Sequence, residues 1–102
     1  FAIGDVNVVP SGDFAIPKAG VFAAGQGTKV GEVIASRVND SNAPEPYDGV
    51  GFCFMAYSGG RAATVGGEFL ADGGPDTVLT DLSVAGNRSK ERFERDWRSF
   101  KI

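Results

Sequence analysis

At 102 residues the chain has room for one modest core. A formal charge of −3 argues against nucleic acid as a partner, and the absence of histidine removes imidazole metal sites and His-dependent triads from this chain. One cysteine, Cys53, allows neither an internal disulfide nor a Cys-x-x-Cys pair.

In chain order, Phe1-Ala2-Ile3 is an apolar run that stops at Gly4-Asp5, which predicts a short strand turning at the glycine. Asp5 would then stand at the strand's carboxyl end, where open α/β sheets bind ligands. The chain opens inside this run, on Phe1, and is expected to be part of a longer polypeptide. Residues 6 to 17 read as a loop, punctuated by Pro10, Gly12 and Pro17.

A helix is predicted over 19–38, with Val21, Phe22, Ala24, Thr28, Val30, Val33, Ile34 and Val38 in a broad apolar stripe. Its start follows Lys18, so a cation and the positive end of a helix dipole would face the same place as Asp5. That is a cofactor-site geometry; the plain alternative is a capping Asp and a solvated Lys. The interior glycines 25, 27 and 31 each cost about 1 kcal/mol relative to alanine, which predicts a closely approaching neighbour. Gly25-Gln26-Gly27-Thr28-Lys29-Val30-Gly31 is neither a dinucleotide fingerprint nor a Walker loop, because Val30 and the Thr-Lys order break both patterns.

Residues 39–49, with Pro44 and Pro46, read as a linker. The stretch 50–57 alternates so that Phe52 and Phe54 share one face, with Cys53, Met55 and Tyr57 on the other. Ser58-Gly59-Gly60 turns the chain and 61–71 returns, an antiparallel hairpin. A turn at 72–75 leads to a third strand over 77–80. The last segment, 89–100, is predicted as an amphipathic helix capped by Ser89, with Glu91–Arg95 and Glu94–Arg98 pairs and with Phe93, Trp97 and Phe100 on one face. From Arg88 onward six basic residues face three acidic ones. Such a helix can pack on the sheet or lie on an anionic membrane surface. The fold class read from these elements is α+β: a strand end, a long helix, a small three-stranded antiparallel sheet and a terminal helix.

Several of these segments resemble a known family. Phe1-Ala2-Ile3-Gly4-Asp5 looks like the second FAD-binding motif of the pyridine nucleotide-disulfide oxidoreductases. Val9-Pro10 and Pro17-Lys18-Ala19-Gly20-Val21-Phe22 are similar to the segment after that motif in sulfide–quinone reductases and flavocytochrome c sulfide dehydrogenases. Gly51-Phe52-Cys53-Phe54, Gly59-Gly60-Arg61-Ala62-Ala63 and the aromatic last helix match the C-terminal part of the same family, although the 59–63 turn departs from its commoner form.

The resemblance implies that residues 1–38 close an FAD-binding domain and 50–102 form a small C-terminal domain of sheet and helix. It implies FAD contacts at Gly4, Asp5, Lys18, Ala19 and Gly20, with the Asp5 carboxylate on a ribityl hydroxyl and Lys18 beside the flavin or the quinone. Cys53 matches the position of a redox cysteine; read from its residues alone it is equally a small buried hydrophobe. Arg61 is the nearby cation that would favour a thiolate there.

The implied activity carries electrons from sulfide or NAD(P)H through FAD to a quinone-type acceptor. Its partners are the remainder of the FAD-binding polypeptide, the acceptor, a second copy in a homodimer and, through 89–102, a membrane surface. The 102-residue chain alone is expected neither to retain FAD nor to turn over. The reading from another class is a small non-catalytic α+β interaction domain.

Overall fold

The computed structural model describes residues 1–99. Its elements are a 3-10 turn Gly4–Val6, strands β1 (Pro10–Ser11) and β2 (Phe14–Ala15), helix α1 (Gly20–Val38), strands β3 (Val50–Tyr57), β4 (Arg61–Glu68) and β5 (Asp76–Leu79), and helix α2 (Val84–Arg98). This is a small α+β protein with two antiparallel sheets, one of β1-β2 and one in the order β3-β4-β5.

The main hairpin forms where alternation and the Ser-Gly-Gly turn predict it, with Cys53 opposite Val65 and Tyr57 opposite Arg61. Gly59 and Gly60 both take positive φ in that turn. β5 continues the sheet from β4, pairing Val65 with Leu79 and Glu68 with Asp76.

The two faces of β3 meet different helices. On one face a Cβ at Gly51 would lie 2.6 Å from the Phe22 ring of α1, so only glycine admits that close approach. On the other, Phe52 and Phe54 pack edgewise on each other and against Phe93 of α2, with centroids 5.3 to 5.7 Å apart. The buried cluster is Ile16, Phe22 and Phe69, rimmed by Val9, Ala19, Tyr47, Val65 and Leu70. Phe22 and Phe69 meet as a T-shaped pair at 5.1 Å.

Several expectations change. No strand forms over 1–3; these residues lead directly into the 3-10 turn. A strand needs a neighbour to take its ladder hydrogen bonds, and among the described residues none lies beside this one. The 6–17 loop contains the β1-β2 hairpin, closed by the Ile16 amide donating to the Val9 carbonyl at 3.0 Å.

Within α1, Gly25 is approached by Tyr47 from the 39–49 segment and Gly27 by Ile3, while Gly31 meets nothing within 4 Å. The apolar stripe of α1 is covered at Phe22 but bare at its far end, where Ile34 and Val38 are exposed.

Helix α2 starts at Val84, five residues before Ser89. Its cap is Ser83, whose Oγ accepts the Gly86 amide at 2.9 Å. Ser89 lies inside the helix and donates to the Ala85 carbonyl at 3.2 Å. Glu94 and Arg98 pair at 3.1 Å, whereas Glu91 Oε1 accepts from Asn87 Nδ2 at 2.9 Å. Phe93 and Trp97 share one face, 5.7 Å apart; Phe100 lies outside the described residues. Among the described residues no helix is long and apolar enough to cross a membrane.

Candidate functional site

The 3-10 turn that carries Asp5 folds back onto the start of α1. Gly4 takes φ +70, a left-handed conformation that glycine adopts without the Cβ penalty. Its amide donates to Gln26 Oε1 at 2.7 Å. Lys18 Nζ then donates to the main-chain carbonyl of Asp5 at 2.5 Å. The lysine is thereby engaged by the backbone, and the Asp5 carboxylate has no ion-pair or hydrogen-bond partner among the described residues.

Next along the chain, Ala19 occupies the N-cap of α1 with no side-chain cap. Capping residues ordinarily satisfy one of the first amides of a helix; here the Phe22 amide donates to the Ala19 carbonyl at 3.0 Å, and no side chain caps the Gly20 and Val21 amides before it. Gly20 is exposed and has nothing within 4 Å of where a Cβ would stand. Gly4, Asp5, Lys18 and Ala19 line one recess together with Asn7 and Gln26. Its volume of about 10 Å³ is room for about one water molecule. A three-ring cofactor does not fit inside it, and could meet these groups only from the outer surface.

Cys53 lies on the other side of the α1 start. It is half-buried, and its thiol contacts the Phe54 carbonyl at 3.5 Å. With Ala19, Phe54, Phe93 and Trp97 it borders two adjoining open hollows of about 160 and 430 Å³. Gly20, Val21 and Phe52 complete the smaller, and Lys90, Glu94 and Arg98 the larger. β3 is the outer strand of its sheet, so side chains from both its faces reach this edge. The larger hollow falls in the size range of small-molecule sites, and its mostly apolar wall with a few charged groups has their usual make-up.

The structure therefore gathers six of the seven residues singled out from the sequence around one helix start: Gly4, Asp5 and Lys18 on one side, Cys53 on the other, Ala19 and Gly20 between. Arg61 is not among them. It pairs with Tyr57 at the turn end of the hairpin, four residues and about 13 Å of strand from Cys53. Antiparallel register, which alternation along one strand leaves open, sets that separation.

Gln26 and Asn7 escaped the sequence reading. Asn7 Nδ2 donates to the Ala2 carbonyl at 2.8 Å and to Gln26 Oε1 at 3.4 Å, so Gln26 is the acceptor for two donors of the turn. The available signal was Gln26 itself, a polar residue four positions after Phe22 on the buried side of an amphipathic helix. Among the described residues no cluster of metal-ligating side chains occurs. Comparison with protein-family models, with curated proteins and with solved structures gives no match for this chain.

Proposed function

We propose that the chain forms the flavin-facing, C-terminal part of an FAD-dependent oxidoreductase resembling sulfide–quinone reductase. The observation that carries this reading is the meeting of an unpaired carboxylate, a lysine ammonium, a helix start without a side-chain cap and a half-buried cysteine within one neighbourhood. Asp5 would accept hydrogen bonds from a polyol chain. Lys18 and the first amides of α1 would supply positive charge beside a ring system that becomes negative on reduction. Cys53 would face the donor from the far side of Ala19.

When bound, the flavin supplies two-electron chemistry between sulfide or NAD(P)H and a quinone-type acceptor. In this reading these residues would form one wall of the flavin site, and the remainder of the polypeptide would supply the other. The natural polypeptide containing this segment should purify with bound flavin, and a colourless protein would sink the proposal. In that protein, Cys53→Ser is expected to abolish flavin reduction by sulfide while leaving reduction by NADH intact. Equal rates with sulfide would make Cys53 a packing residue. The 102-residue chain alone should stay colourless.

A second reading, a non-catalytic interaction domain, is favoured by a different observation. The accessible surface is 7351 Å², against about 5,500 Å² for a compact monomer of this length. Exposed Val38, Phe14, Val78 and Leu79 contribute to it. Flavin content of the natural polypeptide separates the two readings, because an interaction domain would carry none.

A further inference from the structure

We infer that Gln26 is a positioning residue, which holds the Gly4–Asp5 turn against α1 and so fixes where the free Asp5 carboxylate is presented. Its consequence for a cofactor rests on the flavin reading above; the hold itself does not. Gln26 is 8 % exposed, and a buried amide is costly unless it is hydrogen-bonded. Its Oε1 takes the Gly4 amide, a donor that lies at the start of a 3-10 turn whose N-cap, Ile3, offers no side-chain acceptor. The glutamine thus supplies, from 22 residues away, the cap that the local sequence lacks.

Asn7, at the other end of the turn, ties Ala2 to the same oxygen, so the turn is gripped at both ends. With the turn held, the Asp5 carbonyl comes within reach of Lys18 Nζ. Lys18 is satisfied there by main chain, and the carboxylate is left unspent. A hydrophobe at position 26 would fill the same space on α1 and remove the acceptor.

The test compares the native chain with Gln26→Leu and Gln26→Glu. Leucine keeps the packing and deletes the acceptor; glutamate restores an acceptor. The first measurement is amide hydrogen exchange on the 102-residue chain. Gly4 should exchange about tenfold faster in Gln26→Leu, the size expected for one lost hydrogen bond. Gln26→Glu should keep its protection, with the amides of 30–36 unchanged in both. Unchanged Gly4 exchange in Gln26→Leu overturns the inference. So does an equal loss at Gly4 in both variants, which would mark Gln26 as a packing residue only.

The second measurement is FAD affinity of the natural longer polypeptide. Gln26→Leu should weaken it about tenfold and Gln26→Glu should restore it; an unaltered affinity in Gln26→Leu overturns the positioning role. A native polypeptide that binds no FAD defeats the flavin reading, while Gly4 exchange still decides whether Gln26 holds the turn.

Discussion

Phe22 sits at the centre of the Ile16–Phe22–Phe69 core and is the largest side chain buried completely among the described residues, at 1 % exposure. Phe22→Ala should lower the unfolding free energy by roughly 3–5 kcal/mol, a large share of the roughly 5–15 kcal/mol typical of a domain. Urea denaturation followed by circular dichroism should show a variant already partly unfolded in buffer. Gly51→Ala attacks the same contact from the other side, and because a buried ring cannot swing away, it should cost about 1–3 kcal/mol. Tyr47 gives a pH effect. Burial, and after it the neighbouring Asp48 charge, raises its phenol above the ordinary value of 10.0. The folded state therefore favours the protonated phenol. That contribution is fully present below about pH 10 and is lost as pH rises through the folded-state value. Thermal melts of the native chain should fall in that alkaline window more steeply than those of Tyr47→Phe. At this scale Phe22 was legible, because apolar periodicity marks it. Gln26 was not, because its partner is 22 residues away and no local pattern encodes a tertiary hydrogen bond.

Elements were legible where one physical rule dominates. α1 could be placed within a residue of its start and at its last residue, because Pro17 closes off the preceding segment and the stripe runs on to Val38. The β3-β4 hairpin followed from alternation plus a glycine turn. The sequence points to a start for α2 that is too late, since Val84, Gly86 and Asn87 are weak helix formers and Ser89 has the chemistry of a local cap. The true start is set by tertiary structure. Ser83 bridges to Ala62 through two main-chain hydrogen bonds of 2.9 and 3.1 Å, which fixes where the chain leaves the sheet. Ser83→Ala should therefore cost about 1 kcal/mol, seen as a fall of about 4–8 °C in Tm for a chain of this size. Ser89→Ala, which removes only an internal back-bond, should leave Tm nearly unchanged. A larger loss from Ser89→Ala than from Ser83→Ala would contradict this cap assignment. The expected opening strand does not form for the converse reason: Phe1-Ala2-Ile3 has strand composition, but composition does not supply a neighbouring strand.

The whole molecule is broad and thin, with extents of 53 × 38 × 20 Å and a radius of gyration of 15.8 Å, against about 13 Å for a compact chain of 102 residues. Its surface exceeds the compact expectation by about 1,900 Å², more than the roughly 800 Å² that one partner contributes to a standard interface. Sedimentation velocity at rising concentration should show self-association of the isolated chain. A sharp monomer peak up to the highest soluble concentration would contradict that expectation. Residue types near the site were legible from the Gly-Asp and Pro-Lys segments. Their meeting point was not, because it depends on how α1, the 3-10 turn and the edge of β3 stack.

The opposed partners of β3 have a consequence for assembly. Suppose the strand slid by one residue before docking. In one direction Phe52 would be driven into Phe22, where only hydrogen fits, and Phe93 would face Cys53 and Met55; in the other Val50 would meet Phe22 and Phe93 would face Gly51 and Cys53. Each helix thus proofreads the other's alignment: an error tolerable to one side is rejected by the other, and a single offset of the hairpin satisfies the molecule.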